Sequence, residues 1–505
     1  MNYLPLRFFK NLTTLLARAR PAIVGSLITW FAAVTKTHQT EVQRRHNVTL
    51  GIAVARDART TAVVFPEDLR TQHLGIIGLS GNGKTYFIER MIRQDIQNRT
   101  GFVVFDVHGD LADSVVAYLA ERATVDPDVY RRTLILEPFD PDRSFGFNPL
   151  QRTSGVSQFF QSQEFAHILR RRWQDAILSP RTEELLRNSL FTLAVNHETL
   201  PKLPDLLTDR NFRHSLIEKL PPGPIADYWI TRYDPLSLKM QTVFREPLLS
   251  RVSSFLADPR IRDIVSQNRS TFSFRRAIQE NLWVIINLSA GRLGETATIL
   301  GSMLFSKLEI EVMALAQLPE KDRNFFAIYA DELQNLAGTS FSRLIAEARK
   351  YRVAVVAGHQ FWKQLDDPLK QAMLAVGSRA LFRLHYHDAV ELAGELAPDE
   401  RPRYIRLLTN LGRGEAVVRL GRHRPEVITI PQHRPARPRT EELNKLKDAS
   451  AARYTVPRNR VEIERRPPSP EIALKTEHGN QKRISDQILK YGEAPQKKGR
   501  RPPGA

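Results

Sequence analysis

The chain has 505 residues, of which 42% are hydrophobic and 26% charged, a balance typical of a globular protein and not of a wholly disordered one. At roughly 100–200 residues per domain, this length predicts two or three domains. The chain contains no cysteine, which excludes disulfides, thiolate metal sites and cysteine nucleophiles. Its formal net charge of +19 points to an anionic partner, either nucleic acid or an anionic membrane surface.

The positive charge is concentrated at the two ends of the sequence. Residues 1–46 carry a net charge of +6 and residues 433–505 a net charge of +9, whereas residues 47–432 carry only +4. We therefore expect the ends to attract phosphates without regard to sequence and the middle to form the globular body. The segment 433–505 is rich in proline and poor in large apolar residues, so we predict a disordered basic tail, with a short helix at 440–452.

The N-terminal segment 1–46 has the pattern of a helix that either contacts a membrane or docks on the protein itself. Its apolar run at 22–34 lies between Arg20 and Lys36 and is shorter than the roughly 20 residues that a spanning helix requires. The run has no small-residue cleavage site, which argues against a secretory signal. We therefore expect a cytoplasmic protein, and contact with the inner face of the cell membrane through residues 1–36 stays open.

Short runs rich in β-branched residues recur through the body and alternate with helical patterns, such as those at 85–97 and 297–316. Most runs are continuously apolar, which is typical of strands buried on both faces of a mostly parallel sheet. This order predicts right-handed βαβ crossovers and an α/β fold. The predicted strands lie at 74–79, 101–107, 133–137, 283–289, 325–330, 353–358 and 379–385, followed by 415–420 and 426–430.

The strand pattern is missing between residues 150 and 275, where the sequence reads as helices. Because strands resume at 283, we predict an all-alpha domain, residues 150–275, inserted into a sheet domain formed by residues 47–149 and 276–432.

The first strand of this series leads into a sequence typical of a phosphate-binding loop. Residues 78–85 read G-L-S-G-N-G-K-T and match G-x-x-x-x-G-K-[ST], with a strand before the loop and a helix after it. The backbone N–H groups of such a loop point at phosphate oxygens. Lys84 would reach the β- and γ-phosphates of ATP, and the Thr85 hydroxyl would bind Mg²⁺. The predicted ATP-binding residues are Gly78, Ser80, Gly81, Asn82, Gly83, Lys84 and Thr85.

Two carboxylates follow the apolar strand at 325–330. We predict that Asp331 holds Mg²⁺, directly or through water, and that Glu332 is the general base that activates the attacking water. A chance acidic strand end is the competing interpretation, but a hydrolysing phosphate-binding loop requires such a partner.

Two further positions are candidate sensors of the nucleotide. Gln360 ends the strand sequence V-A-V-V-A-G-H-Q and would lie near the γ-phosphate. Arg349 is a candidate arginine finger for a neighbouring subunit. Arg343 and Lys350 compete with Arg349 for that role. Asp106, at the end of the strand at 101–107, would face the phosphate side of the sheet, where it would help to order Mg²⁺ or couple the nucleotide to the helical domain.

These stretches together resemble the HerA/FtsK-type P-loop motors and, among them, the TraG/TraD-like coupling proteins of conjugative type IV secretion. The similar segments are H-L-G-I-I-G-L-S-G-N-G-K-T (73–85), V-V-F-D-V-H-G-D-L (103–111), I-N-L-S-A-G-R-L-G (286–294), I-Y-A-D-E-L-Q-N-L (328–336), E-A-R-K-Y (347–351) and A-G-H-Q (357–360). The similarity extends from about residue 50 to residue 430 and includes the helical insertion.

The resemblance implies a RecA-like motor that uses ATP and Mg²⁺, assembles as a homo-hexamer and pumps DNA through its centre. It also implies that the inserted all-alpha domain meets a relaxase–DNA substrate, and that relaxase or secretion-channel proteins are partners. Coupling proteins of this family usually carry spanning helices at the N-terminus, where this chain has only the run at 22–34. A soluble HerA-like translocase or helicase in DNA processing is therefore the alternative.

Two other classes of P-loop protein compete with a motor. A nucleotide-gated adaptor binds ATP without turnover and has no need of a water-activating base such as Glu332. A small-molecule kinase does not account for the length, the helical insertion or the basic ends. The sequence therefore predicts a DNA-translocating ATPase.

Overall fold

The computed structural model describes residues 46–54, 60–173, 178–338 and 341–465. The described residues up to Val456 form one compact unit, and a second unit starts at Pro457. The predicted membrane-contacting helix and the last 40 residues of the predicted tail, 466–505, lie outside the described residues. In the part of the chain that is described, no helix is both long enough and apolar enough to cross a bilayer.

One sheet of eleven strands organises the first unit, in the order β2-β1-β12-β11-β10-β3-β9-β8-β4-β7-β5. The strands are β1 (Val48–Val54), β2 (Thr60–Phe65), β3 (Leu74–Ile77), β4 (Gly101–Asp106), β5 (Thr133–Leu136), β6 (Arg143–Ser144), β7 (Trp283–Asn287), β8 (Phe326–Ala330), β9 (Val353–His359), β10 (Ser378–Leu381), β11 (Glu415–Arg419), β12 (Glu426–Thr429) and β13 (Val456–Pro457), of which β6 and β13 lie outside this sheet. All neighbours from β10 to β5 pair in parallel, whereas β2, β1, β12 and β11 extend the sheet in antiparallel fashion. The predicted parallel sheet is confirmed.

The parallel strands are buried along their whole length because apolar side chains project from both faces of the sheet. On β4, Val103 and Phe105 belong to the apolar core on one face, and Phe102 and Val104 to the core on the other. This double burial explains why the strands read as continuous apolar runs.

The helices of the first unit cover both faces of its sheet, and the last described helix belongs to the second unit. The described α-helices are α1 (Glu67–Arg70), α2 (Lys84–Gln97), α3 (Asp110–Ala123), α4 (Asp128–Arg132), α5 (Gln158–Arg172), α6 (Pro180–Val195), α7 (Leu203–Thr208), α8 (Arg210–Ile217), α9 (Pro224–Asp227), α10 (Leu238–Ala257), α11 (Pro259–Val265), α12 (Phe274–Gln279), α13 (Ala290–Leu293), α14 (Thr296–Ala314), α15 (Phe341–Glu347), α16 (Asp367–Leu374), α17 (Tyr386–Leu396), α18 (Arg401–Asn410), α19 (Thr440–Tyr454) and α20 (Arg458–Arg465). Helices α2 and α3 bury their apolar residues in one core, and α14 buries its apolar residues in the other.

The predicted helical insertion is present as the run of helices from α5 to α12, which precedes β7. Its buried residues, among them Leu190 and Trp229, share one continuous apolar core with α14 and the adjacent sheet face. Helix α5 packs directly against α14. The insertion is therefore seated on the sheet domain, and the exact domain boundaries at 150 and 275 stay predictions.

Residues 433–456 differ from the predicted disordered tail, because they belong to the first unit. The short helix predicted at 440–452 is present as α19, which packs on α3 and β5. Because α19 buries few large apolar side chains, polar contacts hold it against the rest of the unit. The hydroxyl of Ser450 accepts a 2.8 Å hydrogen bond from the backbone N–H of Ile135, and Lys447 pairs with Glu137 at 2.8 Å. Of the large apolar side chains on α19, only Leu446 and Tyr454 are buried.

Candidate nucleotide site

The loop between β3 and α2 has the backbone geometry of a phosphate cradle. Gly81 and Gly83 adopt the left-handed region, with φ of 77° and 106°, which other residues reach only with strain. Gly83 is the N-cap of α2, and no side chain caps the first turn. The N–H groups at this helix start are therefore available to an anion, as the sequence motif requires.

Lys84 is folded into this loop and is only 6% exposed. Its Nζ donates a hydrogen bond of 2.7 Å to the carbonyl of Gly78. Burial lowers the pKa of Lys84, while the charges of Asp331 and Glu332 act in the opposite direction. The ammonium group is thus held next to the cleft, within reach of a bound phosphate.

Thr85 and Asp331 meet at the floor of the cleft. The Thr85 hydroxyl donates a 3.0 Å hydrogen bond to Oδ2 of Asp331. The approach of strand β9 depends on Gly358, because a Cβ at that position would lie 3.0 Å from Oδ1 of Asp331. The predicted pairing of the loop with the carboxylate strand is therefore present in the geometry.

The surroundings of Asp331 disfavour its ionised form when no cation is bound. Burial raises its pKa to about 6, and the nearby carboxylates of Glu332 and Asp106 add to the rise. The hydrogen bond from Thr85 and the charge of Lys84 act in the opposite direction. A hydroxyl and a buried carboxylate are hard oxygen ligands of the kind Mg²⁺ prefers, so the residues present fit this ion.

Glu332 is held by two glutamines. The Nε2 of Gln360 donates to its Oε1 at 2.6 Å, and the Nε2 of Gln334 donates to its Oε2 at 2.5 Å. The Glu332 backbone has a φ of 58°, in the left-handed region, and its N–H donates to Oδ1 of Asp331 at 3.1 Å. This turn places the two carboxylates side by side, and both are buried. The structure thus brings together Glu332, Gln360 and Asp331.

Asp106 lies in the same cleft, but both of its carboxylate oxygens are already used. They accept backbone N–H groups of His108 and Ala112, each at 2.9 Å. Asp106 therefore fixes the turn that starts α3. Its negative charge also affects the candidate cation site, because it helps to raise the pKa of Asp331.

The cleft has a volume of about 470 Å³. It is lined by five of the seven predicted loop residues, by Asp106, Asp331, Glu332 and Gln360, and by five residues that sequence reasoning did not assign to the site. These additional residues are Tyr86, His108, Asp110, Leu111 and Arg413. Arg413 reaches the cleft because the N–H of Gly414 donates to the carbonyl of Asn82 at 3.2 Å. Its only sequence signal is the pair of glycines around it, which does not distinguish a site from a turn.

Arg349 is the predicted catalytic residue that the structure does not bring to this cleft. It is exposed and precedes β9, at the edge of the sheet where the parallel strands begin. Its neighbour there is His73, whose pKa is lowered to about 4 by burial and, to a smaller extent, by the charge of Arg349. The guanidinium of Arg343 lies over the ring of Phe160, 4.8 Å from its centroid. Within one chain, Arg349 is therefore on the opposite edge from the loop.

The family described as "type IV secretion-system coupling protein DNA-binding domain" matches residues 58–373, more than half of the sequence. The chain belongs to this family. It is thus a type IV secretion coupling protein of the P-loop ATPase class, as the sequence resemblance predicted.

Solved structures agree on the fold of this coupling protein. The bacterial conjugative coupling protein TrwBdeltaN70, in an unbound monoclinic form, has 17% identity and a TM-score of 0.54 over 75% of this chain and 88% of its own. The plasmid coupling protein TrwB with the ATP analogue ADPNP has 18% identity and a TM-score of 0.54, over 77% and 95% of the two chains. TrwB with ADP and Mg²⁺ has 17% identity and a TM-score of 0.53, over 77% and 96%.

At this level of identity the likeness shows the fold, a RecA-like P-loop domain with an added helical part. The search of curated proteins found no match for the chain.

Proposed function

We propose that this coupling protein is a motor that hydrolyses ATP and uses the energy to move DNA, without regard to sequence, toward a type IV secretion channel. One observation carries the proposal. The Thr85–Asp331 pair and the Glu332–Gln360 pair converge beside Lys84 in one cleft. The TrwB structures with an ATP analogue and with ADP and Mg²⁺ support ATP and Mg²⁺ as the ligands.

The loop residues hold the nucleotide in this proposal. The N–H groups from Gly81 to Thr85 surround the α- and β-phosphates, and Lys84 leaves its contact with Gly78 to bind the β- and γ-phosphates. Thr85 and Asp331 would hold Mg²⁺, whose charge would neutralise that of the phosphate oxygens. This contribution is electrostatic and needs no covalent intermediate.

Glu332 acts on the attacking water. Its carboxylate accepts the proton of a water molecule next to the γ-phosphate while Gln360 and Gln334 keep both oxygens in place. We expect the amide of Gln360 also to respond to a bound γ-phosphate, because Gln360 and its partner Glu332 both line the nucleotide cleft. The base and its orienting groups are therefore built on the ends of two neighbouring strands.

The exposed position of Arg349 fits a role in the site of a neighbouring subunit. A finger that acts in trans requires an oligomer whose active sites lie between subunits, and we propose a homo-hexameric ring. We further propose that the protein works in the cytoplasm, with residues 1–36 in contact with the inner face of the cell membrane. A relaxase or a channel protein is the proposed partner of the helical insertion. A soluble DNA-processing translocase is the alternative where such partners are missing.

The test is the ATPase rate of the full chain with no DNA, with single-stranded DNA and with double-stranded DNA, alongside the mass of the assembly. We expect DNA to raise the rate and Lys84→Ala to abolish it, because the variant loses the charge that stabilises the β- and γ-oxygens. ATP binding without turnover, whether or not DNA is present, argues for an adaptor. Turnover that neither form of DNA raises contradicts the coupling to DNA, and a Lys84→Ala variant with full activity would place the site elsewhere.

A further inference from the structure

A second cavity of about 710 Å³ adjoins the nucleotide cleft. The two share His108, Glu332 and Gln360, so the cavity begins where the hydrolytic residues end. Because the loop surrounds the α- and β-phosphates, the side marked by Glu332 and Gln360 is the side of the γ-phosphate. A phosphate cleaved from ATP is therefore released at the entrance of this cavity.

Three cations line the cavity beyond that entrance: Arg171 and Arg172, at the end of α5, and Lys363, which is exposed and follows β9. Asp366 and Glu332 are the carboxylates of the lining. Arg171 pairs with Asp366 at 2.6 Å. The glutamines that bond Glu332 are neutral, so its charge remains, and the three cations face two carboxylates. The cavity has a surplus of positive charge.

Arg172 is the most constrained of the three. Its Nε donates to the hydroxyl of Ser302 at 2.8 Å, and its Nη2 is buried with no hydrogen-bond partner among the described residues. Burial, aided by the charge of Arg171, lowers its pKa to about 10. An unpaired buried guanidinium nitrogen is costly, and an oxyanion is the ligand that its donors suit.

We propose that this cavity is a binding site for inorganic phosphate, the product of hydrolysis, held by Arg171, Arg172 and Lys363 after it leaves Glu332. The proposal rests on the ATPase function proposed above. A doubly charged oxyanion there competes with Asp366 for Arg171. Product release then acts on an ion pair that joins the helical insertion to the start of α16, where Asp366 is the N-cap.

The experiment measures the affinity of inorganic phosphate for the full chain saturated with ADP and Mg²⁺. Arg171→Gln and Lys363→Gln should each weaken phosphate binding about tenfold, which is the usual effect of losing one charge-assisted hydrogen bond. Arg170→Gln is the matched control, because Arg170 pairs with Glu183 and does not line the cavity. ADP affinity should stay the same in all three variants. Lys363 is exposed, so its variant should fold normally.

Equal phosphate affinity in Lys363→Gln, Arg171→Gln and the unmodified protein would overturn the proposal, as would a protein that binds ADP but no phosphate. Loss of DNA affinity with unchanged phosphate affinity would also overturn it and assign the cations to nucleic acid. Failure to bind ADP is a different result, because it contradicts the nucleotide site itself.

Discussion

The side-chain amide of Gln360 donates a 2.6 Å hydrogen bond to the carboxylate of Glu332, which ties the end of strand β9 to the end of strand β8. Through this contact, a glutamine one residue past a strand can orient the proposed general base of the neighbouring strand. It also links the base to any movement of β9. The contact needs both strands to lie side by side, and their parallel pairing provides this.

Replacing Gln360 tests this contact directly. In Gln360→Ala, kcat for ATP hydrolysis should fall about tenfold to a hundredfold, because Glu332 loses one of its two orienting donors. The affinity for ATP should change by less than about twofold, since Gln360 lies beyond the phosphate-binding loop. Steady-state kinetics and nucleotide titration separate the two effects. Gln371→Ala, an exposed glutamine on α16, is the control and should behave as the unmodified protein.

We expect the carboxylate of Asp331 to lower the stability of the nucleotide-free protein although Mg²⁺ binding needs it. Its folded pKa of about 6 exceeds the ordinary value of 3.8, so the folded state holds the proton longer than the unfolded chain does. Stability therefore falls as the pH rises from about 4 to 6, and the full penalty is present above pH 6. Asp331→Asn removes that penalty and should stabilise the nucleotide-free protein at pH 7.5 by about 2–3 kcal/mol.

Denaturant unfolding at pH 5 and pH 7.5 provides the measurement. The advantage of Asp331→Asn should be smaller at pH 5, where Asp331 is mostly protonated in the folded state. With Mg²⁺ and ADP present, the ranking should reverse, because only the carboxylate holds the ion. If the variant is less stable without nucleotide at both pH values, the charge of Asp331 is compensated in the folded protein.

The parallel block of the sheet was predictable, because strands buried on both faces are continuously apolar. Strands β1 and β2 were missed because they lie at the antiparallel edge, where β2 is largely exposed and its residues do not form a fully apolar run. Helix α19 was predicted, but its docking was not, because ion pairs and hydrogen bonds anchor it. The phosphate-binding loop and the Asp331–Glu332 pair follow from spacing alone. The left-handed backbone of Glu332 and the position of Arg413 in the lining of the nucleotide cleft depend on tertiary contacts that no motif encodes.

Arg349 can be tested by mixing two inactive proteins. Arg349→Ala lacks the finger and Lys84→Ala lacks the loop lysine, so a mixed interface restores one complete site. We expect the mixture to recover part of the ATPase activity that each variant lacks alone. Lys350→Ala, an exposed neighbour, should be active by itself. No recovery where mixed oligomers demonstrably form would make Arg349 a surface charge.

The C-terminal segment separates into two parts with different expected roles. Residues 466–505 carry a net charge of +5, so cutting after Arg465 should lower DNA affinity. For every DNA phosphate that the shortened protein no longer neutralises, the slope of log affinity against log salt should become shallower by about 0.7–0.9. Cutting after Gln432 also removes α19 and its anchors, so it should lower the melting temperature, which the shorter truncation leaves unchanged. An unchanged salt slope after the cut at 465 would point to a protein partner for that segment.

The most direct measurement is the rate of phosphate release by Glu332→Gln alongside its affinity for Mg²⁺ and ATP. Asp331, Thr85 and Lys84 all remain in this variant, so ATP should bind as tightly as in the unmodified protein. Turnover should fall by at least about a hundredfold, because the water loses its proton acceptor. A Glu332→Gln protein that hydrolyses ATP at the normal rate would contradict the assignment of Glu332 as the base and, with it, the proposed mechanism of this motor.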